Sequence, residues 1–381
     1  MLQKKARAVS VWFLLFVLLP YDGYCQLTIG DRCHDASSNM NGTCVLLSSC
    51  DHARNALKIG YRPQICGFQG MDPIVCCIER TYSSGTAKQD VAQSGVKSRQ
   101  KCVEYQQYVY ENVSNPLIGE GVVRVDRCGW NVGRLLITSR IQPEEYPHIA
   151  LIGYEGKSDE TLWLCTGSLI SEEFVLIAAH CAYTPVWGVP KRVRIGNHQI
   201  STSEHSSEVQ DFTVKEILNH PEFKHPAYYN DIALIRLNRK VRLDAYSRPA
   251  CLHTTFDIPV RRASALGWDH SESFENSNKH LRKTSLDFVT NLNCNDSTYI
   301  SKKRLRKGIV TDSQVCAGSH GNSKDVCEIV TDGPLQIIDP NIYCMYSIVG
   351  IKSFGRACGE ILEIHTRVSN YIEWIEQNVW P

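Results

Sequence analysis

The cysteines constrain this chain of 381 residues more than any other feature, because there are seventeen of them. In an oxidising compartment so many cysteines form disulfides, whereas in the cytosol they would favour metal sites. Cys-x-x-Cys pairs do not recur at the spacing that zinc requires. We therefore expect disulfides, no metal and no other cofactor.

Six of the cysteines fall close together near the N-terminus, in a segment too short to bury a sufficient hydrophobic core alone. Disulfides are the usual means of stabilising a domain of that size. Six cysteines allow many pairings, and the spacing does not select one. Two adjacent cysteines should not bond to each other, because neighbours on an extended chain point in opposite directions. The six are Cys33, Cys44, Cys50, Cys66, Cys76 and Cys77.

Residues 1–25 are predicted to be a signal peptide. Basic residues such as Lys4 and Arg7 precede an apolar run over 9–19, and a polar stretch follows that ends near Cys25. The run is too short to span a bilayer of about 30 Å, which favours a cleaved signal over an anchor. Loss of Cys25 leaves an even number of cysteines. We therefore expect a secreted, extracellular protein, and three glycosylation sequons fit that expectation: Asn41, Asn112 and Asn295.

The rest of the composition indicates a β-rich protein. The 41 basic and 40 acidic residues nearly cancel, so neither nucleic acid nor a membrane is an expected partner. A polar stretch over 81–100 predicts a disordered linker there, and we place the whole linker at 78–127. From about residue 147, short runs such as HIALIGY and DIALIRL alternate with turn residues, which predicts a barrel or sandwich. Ile372, Ile375 and Val379 have helical spacing and predict a C-terminal helix.

Three motifs stand in this β-rich region. LIAAHC contains His180, NDIALI contains Asp231, and DVCEIVTDGPL contains Thr331. An isolated His or Asp is more often structural than catalytic, but these flanking residues, in the order His, Asp, nucleophile, closely resemble the chymotrypsin-like serine proteases. The resemblance covers about residues 129–381.

The N-terminal half extends the resemblance to the arthropod clip-domain serine proteases, in which six cysteines ending in a Cys-Cys pair precede a linker and a protease domain. This implies a mostly β fold, with a chymotrypsin-like double β-barrel and C-terminal helix over 135–381. A small disulfide-rich clip domain is expected before it, over 32–77.

The resemblance also implies seven of the eight disulfides, and the eighth joins the two cysteines that remain. The seven are Cys33–Cys76, Cys44–Cys66, Cys50–Cys77, Cys128–Cys251, Cys165–Cys181, Cys294–Cys316 and Cys327–Cys358. The eighth is Cys102–Cys344.

The nucleophile motif departs from the family's Asp-Ser-Cys-Gln-Gly-Asp-Ser-Gly-Gly-Pro-Leu. Thr331 replaces the serine, and its β-branch stiffens χ1. Ile329 replaces the oxyanion-hole glycine, and a β-branched residue resists positive φ. Val330 replaces the aspartate that pairs with the new N-terminus after activation. Asp332 puts a carboxylate close to where an oxyanion would develop. We therefore predict that the chain does not cut peptides.

The resemblance places a specificity pocket and an activation site as well. Asp325 matches the acidic floor of a trypsin-like pocket, and Ser353 to Gly355 match one wall. Glu363 stands where the family has a pocket glycine, so its side chain would plug the slot. Activation cleavage would fall between Arg134 and Leu135, with Cys128–Cys251 holding the fragments together. An ordinary exposed arginine in a loop is the alternative.

Three functions remain open. The first is a secreted, inactive clip-domain serine protease homologue. It would act as a binding cofactor or regulator on other extracellular proteases or their protein substrates, in an innate immune cascade of melanisation or Toll-type signalling. His180 and Asp231 would then persist because they pack and hydrogen-bond in the old cleft. The second is a weakly active trypsin-like endopeptidase that uses Thr331 with His180 and Asp231. The third is recognition of a microbial surface through the clip domain.

Overall fold

The chain divides into two compact units, Met1–Arg80 and Thr81–Pro381. The structure is a computed structural model, and no helix among its described residues is long and apolar enough to cross a membrane. The described residues are 27–35, 40–50, 53–54, 57, 63–70, 72–77, 94–114, 122–129, 141, 145–157, 160–196, 208–269, 281–290, 294, 304–319, 329–330, 333–355 and 361–381.

The first unit contains a four-stranded antiparallel sheet in the order β1-β2-β4-β3. Three disulfides cross-link it, and they are the three pairs that the resemblance implies: Cys33–Cys76, Cys44–Cys66 and Cys50–Cys77. Their buried sulfurs supply much of the small core, as expected for a domain with few large apolar residues. The strands are β1 (Arg32–Asp35), β2 (Met40–Leu46), β3 (Ile65–Gln69) and β4 (Asp72–Cys77), with a 3-10 turn at Leu47–Ser49.

Part of the segment that was expected to be a linker is folded and belongs to the second unit. It forms helix α1 (Val96–Tyr105), a 3-10 turn, and the hairpin β5 (Tyr110–Ser114) and β6 (Val122–Asp126). The Glu376 carboxylate accepts hydrogen bonds from the first amides of α1, at 2.7 and 3.1 Å. The buried guanidinium of Arg248 donates to the carbonyl of Tyr108 at 3.4 Å. The polar composition of 81–100 gave no indication that the segment folds, because the apolar residues that anchor it come later in the sequence.

The expected disulfides Cys128–Cys251 and Cys102–Cys344 are wrong. The structure joins Cys102 to Cys251 and Cys128 to Cys344 instead. All four cysteines lie in one buried cluster, so counting the remaining cysteines could not choose between the two pairings. Helix α1 packs beside Cys251 and brings Cys102 to it. Both bonds join the chain before Arg134 to the chain after it.

The second unit contains two closed six-stranded barrels. The first has the strand order β10-β11-β12-β9-β8-β7, and its core is almost entirely aliphatic. Residues of β9 are buried throughout, as is typical of a strand covered on both faces. Its strands are β7 (Ile149–Glu155), β8 (Thr161–Leu169), β9 (Phe174–Ile177), β10 (Arg192–Ile195), β11 (Gln210–Asn219) and β12 (Ala233–Leu237).

The second barrel closes through β14-β15-β16-β20-β19-β18, with β13 and β17 as short additions. The predicted C-terminal helix, α2 (Ile372–Val379), buries one face against the core of the first barrel. The strands are β13 (Cys251–Leu252), β14 (Arg262–Asp269), β15 (Leu281–Val289), β16 (Gln314–Ser319), β17 (Ile329–Val330), β18 (Pro334–Ile338), β19 (Tyr346–Gly355) and β20 (Ile361–Arg367). Disulfides Cys165–Cys181 and Cys294–Cys316 form as expected, and Cys327–Cys358 lies outside the described residues.

Candidate functional site

The structure brings His180 and Asp231 together. His180 lies in a 3-10 turn directly after β9, and Asp231 lies just before β12. The Nδ1 atom of His180 is 2.8 Å from Oδ2 of Asp231, and the His180 backbone amide donates to Oδ1 at 2.9 Å. Since Asp231 is fully buried, this contact fixes the proton on Nδ1 and leaves the basic lone pair to Nε2.

Two residues of the second barrel donate further hydrogen bonds to Asp231. The hydroxyl of Ser353 donates to Oδ2 of Asp231 at 2.5 Å, and the hydroxyl of Thr366 donates to the Asp231 carbonyl at 2.9 Å. Ser353 belongs to β19 and Thr366 to β20. The His–Asp pair therefore depends on residues from both barrels. Ser353 was expected only as part of a pocket wall.

An aromatic wall, made of Tyr228 and Phe354, lies beside His180. The Tyr228 ring meets the imidazole edge-on at 6.0 Å, and its centre is 5.2 Å from that of Phe354. The Arg304 guanidinium lies over both rings, at 5.3 and 5.9 Å, and donates to the Tyr228 hydroxyl at 3.1 Å. Sequence reasoning missed Tyr228 and Arg304, because nothing in their local pattern marks them.

The nucleophile segment is described only in part. The backbone of Ile329 and Val330 forms β17, with Ile329 opposite Asp269 and Val330 opposite Trp268 in β14. Gly333 passes close to β14, where a Cβ atom would lie 2.4 Å from the Leu266 carbonyl oxygen, so only glycine fits. The predicted site residues that lie outside the described residues are Arg134, Leu135, Asp325, Thr331 and Asp332.

Glu363 lies in β20 and is buried where this strand pairs with β19. It is 3% exposed and lies opposite Gly355 in the strand pairing. A Cβ atom on Gly355 would lie 3.0 Å from the Glu363 Cα and 3.1 Å from its Cγ, so the two residues are in direct contact. The carboxylate therefore lies against the wall that the sequence assigned to the pocket.

A lysine and a histidine side chain meet this carboxylate, and sequence reasoning missed both. Nζ of Lys352 is 2.8 Å from Oε1 of Glu363, and Nε2 of His365 is 3.3 Å from Oε2. Burial on its own raises the pKa of Glu363, but the His365 hydrogen bond and the Lys352 charge outweigh it and lower the pKa to about 2. Glu363 is therefore ionised at neutral pH. We call Lys352, Glu363 and His365 the buried ion cluster.

A structured apolar loop, residues 183–189, follows His180. Tyr183 is 63% exposed and Val186 is 73% exposed. The loop is held by two backbone hydrogen bonds between Thr184 and Gly188 and by Trp187, which packs on the core of the first barrel. Exposed apolar side chains on an ordered loop are typical of a contact surface for another protein.

Two of the three predicted glycosylation sites are described. Asn41 in β2 and Asn112 in β5 are both exposed, and Asn295 lies outside the described residues.

Comparison with known proteins fits this arrangement. The trypsin family profile matches residues 137–375. The chain is 30% identical to serine protease snk of Drosophila melanogaster, over 91% of this chain and 78% of that protein. It is 30% identical to CLIP domain-containing serine protease B4 of Anopheles gambiae, over 62% of this chain and 68% of that protein. The crystal structure of the Drosophila Grass clip serine protease of the Toll pathway superimposes with a TM-score of 0.53 at 22% identity, covering 91% of this chain and 97% of that one.

Two six-stranded barrels that share a His–Asp pair define the chymotrypsin-like serine protease fold. The chain belongs to the trypsin family and, within it, to the arthropod clip-domain serine proteases.

Proposed function

We propose that this protein is a secreted serine protease homologue without proteolytic activity, which binds other extracellular proteases or their substrates. The observation that carries the proposal is the contrast between the intact His180–Asp231 pair and the buried Glu363 beside it. A protease needs open space where a substrate side chain enters, and Glu363, which stands at a pocket position in the family motif, is buried and ion-paired.

The nucleophile motif supports the same conclusion. With Ile329 in place of glycine, one oxyanion-hole donor is expected to be lost, which costs about 3–4 kcal/mol of transition-state stabilisation. With Val330 in place of aspartate, a new N-terminal ammonium has no buried partner. Thr331 keeps a hydroxyl but adds a methyl group at a position where the attacking geometry is tight.

The exposed surface around His180 suits a protein partner. Tyr183 and Val186 are exposed on an ordered loop that follows His180 in the sequence, and the wall of Tyr228 and Phe354 lies beside His180. Aromatic side chains are enriched among the residues that contribute most to protein–protein binding. The cleft can therefore hold a segment of another protein without cutting it.

The relatives suggest where this binding takes place. Snk and B4 are named serine proteases, and the Grass structure is titled as part of the Toll pathway. We assign the chain to the same kind of extracellular cascade, in Toll-type signalling or melanisation.

An activity measurement tests the loss of catalysis and also the alternative, a weak endopeptidase that uses Thr331. The folded protein, before and after cleavage at Arg134, is given a fluorogenic peptide ending in arginine. We expect no turnover above that of Thr331→Ala. Turnover that disappears in Thr331→Ala would establish the endopeptidase instead, and the retained His180–Asp231 pair is the observation that favours this alternative.

A capture experiment tests binding. The full chain, the double variant Tyr183→Ser/Val186→Ser and the control Val122→Ser are each used to capture proteases from the body fluid of the source animal. Val122 is 65% exposed on β6, so the control also removes an exposed valine. We expect the wild type and the control to retain the same proteases and the double variant to lose them. Equal retention by all three would contradict the proposed surface.

A further inference from the structure

The loss of catalysis does not by itself require the buried ion cluster. A changed nucleophile would abolish turnover and leave the pocket open. Instead Lys352, Glu363 and His365 are 7%, 3% and 0% exposed, so three ionisable groups have been taken out of water together. Burying charges is unfavourable unless they pair with good geometry, so this arrangement needs each of its partners.

The strand register places the cluster next to Ser353, which supports Asp231. Lys352 precedes Ser353 in β19, and Ser353 donates to Asp231. Across the pairing, Lys352 lies opposite His365 and Gly355 lies opposite Glu363. The ammonium of Lys352 thus reaches the carboxylate from within the same wall that borders the cleft.

The chemistry of this contact matches that of a trypsin-like pocket holding its substrate. Such a pocket binds the ammonium of a substrate lysine, or the guanidinium of an arginine, through a buried carboxylate. Here the 2.8 Å contact between Nζ of Lys352 and Oε1 of Glu363 joins the same two groups within one chain.

We propose that Lys352 is a built-in ligand of the specificity pocket, and that the cleft therefore binds partner segments that present no arginine or lysine to it. The second part rests on the proposed function, because it takes the cleft as a binding surface. The first part does not, because the internal pairing is independent of what Thr331 does.

An internal cation has an advantage over an external one. Lys352 is already held beside Glu363, whereas a free ligand must first lose its translational and rotational freedom. A partner's basic side chain would also bring a second cation to a carboxylate that is already neutralised.

The experiment asks whether an added cation can replace Lys352. Wild-type full-length protein is titrated with p-aminobenzamidine, a fluorescent amidine that reports open trypsin-like pockets, and we expect no binding. In Lys352→Ala we expect n-propylammonium, which has the shape and charge of the deleted atoms, to raise the melting temperature. The uncharged 1-propanol should give no shift. Lys215→Ala removes an exposed lysine from β11 and should respond to neither compound.

The outcomes separate this proposal from the proposed function. Binding of p-aminobenzamidine by the wild type would overturn the internal ligand, as would equal responses of Lys352→Ala to propanol and propylammonium. If Lys352→Ala does not fold on its own, its refolding yield is measured with each compound, and equal yields overturn the proposal. Peptide turnover sensitive to Thr331→Ala would contradict the proposed function and leave the pocket result unchanged.

Discussion

The His180–Asp231 pair and the buried ion cluster are both supported by β19 and β20, yet only the pair retains the arrangement of a protease. Ser353 follows Lys352 in β19, and Thr366 follows His365 in β20. Ser353 and Thr366 donate to Asp231, while the residue before each of them contacts Glu363. A His–Asp pair can therefore be preserved next to a buried ion cluster, so the presence of the pair alone does not establish activity.

The two regions also satisfy their carboxylates differently. Asp231 accepts hydrogen bonds from a backbone amide, an imidazole and a hydroxyl, none of which must be charged. Glu363 is held by the charge of Lys352 and by His365. Removing a partner leaves a buried charge unpaired in the cluster, but leaves only an incomplete hydrogen-bond set at Asp231. We therefore expect a substitution in the buried ion cluster to lower the free energy of unfolding more than a substitution at the His180–Asp231 pair.

The largest effect is expected when the cluster loses its anion. Glu363→Leu leaves Lys352 buried without its carboxylate and should lower the free energy of unfolding by about 3–5 kcal/mol. Lys352→Met/Glu363→Leu removes both charges and should recover most of that loss, because an apolar pair of similar volume is tolerated. Urea unfolding measures both.

The matched control for that change is an exposed ion pair. Arg194 and Asp211 are joined at 2.7 Å on the surface of the first barrel, and Asp211→Leu should change the free energy of unfolding by less than about 1 kcal/mol. If Glu363→Leu costs no more than this control, the cluster does not hold the pocket region together.

The second effect is a pH dependence. The pKa of Glu363 is about 2 in the folded protein, against 4.5 for a free glutamate, so its contribution is fully present above about pH 4.5. It is lost as the pH falls towards about 2, and the shift corresponds to about 3 kcal/mol. The difference in unfolding free energy between wild type and Glu363→Gln should narrow across this window. Parallel curves would show that Glu363 titrates normally.

A smaller effect is expected at the His–Asp pair. Asp231→Asn keeps the shape but replaces an acceptor with an amide donor facing His180 and Ser353, and should lower the free energy of unfolding by about 2 kcal/mol. Asp211→Asn, on the exposed pair, serves as the control. A loss at Asp231 equal to that of Glu363→Leu would remove the distinction between the two regions.

The sequence was sufficient for the architecture, for physical reasons. The alternation and turn residues from 147 onward define a β-rich domain, and the motifs around His180 and Asp231 specify the family. The spacing of Ile372, Ile375 and Val379 gave the C-terminal helix. Each of these signals is local, and each was confirmed.

The features that could not be predicted depend on contacts between distant residues. The pairing of Cys102 with Cys251 follows from the packing of α1 on β13, which counting cysteines cannot reveal. Nothing in the local sequence marks Lys352 or His365 as a partner of Glu363. They contact it because the register of β19 and β20 brings them together. The position of Glu363 could be predicted from the family motif, but its partners could not.

The smallest effect is expected for Ser353→Ala. This substitution distinguishes the two regions best, because Ser353 lies between them. Ser353→Ala removes the hydroxyl that donates to Asp231 and creates no buried charge, so it should lower the free energy of unfolding by about 1 kcal/mol. The pH window of Glu363 should stay unchanged, since the Ser353 hydroxyl donates to Asp231. In Asp231→Asn/Ser353→Ala the two losses should not add, because both changes act on one hydrogen bond. In Glu363→Leu/Ser353→Ala they should add. Additivity in the first pair would contradict the hydrogen bond between Ser353 and Asp231. Coupling in the second pair would mean that the two regions are one network.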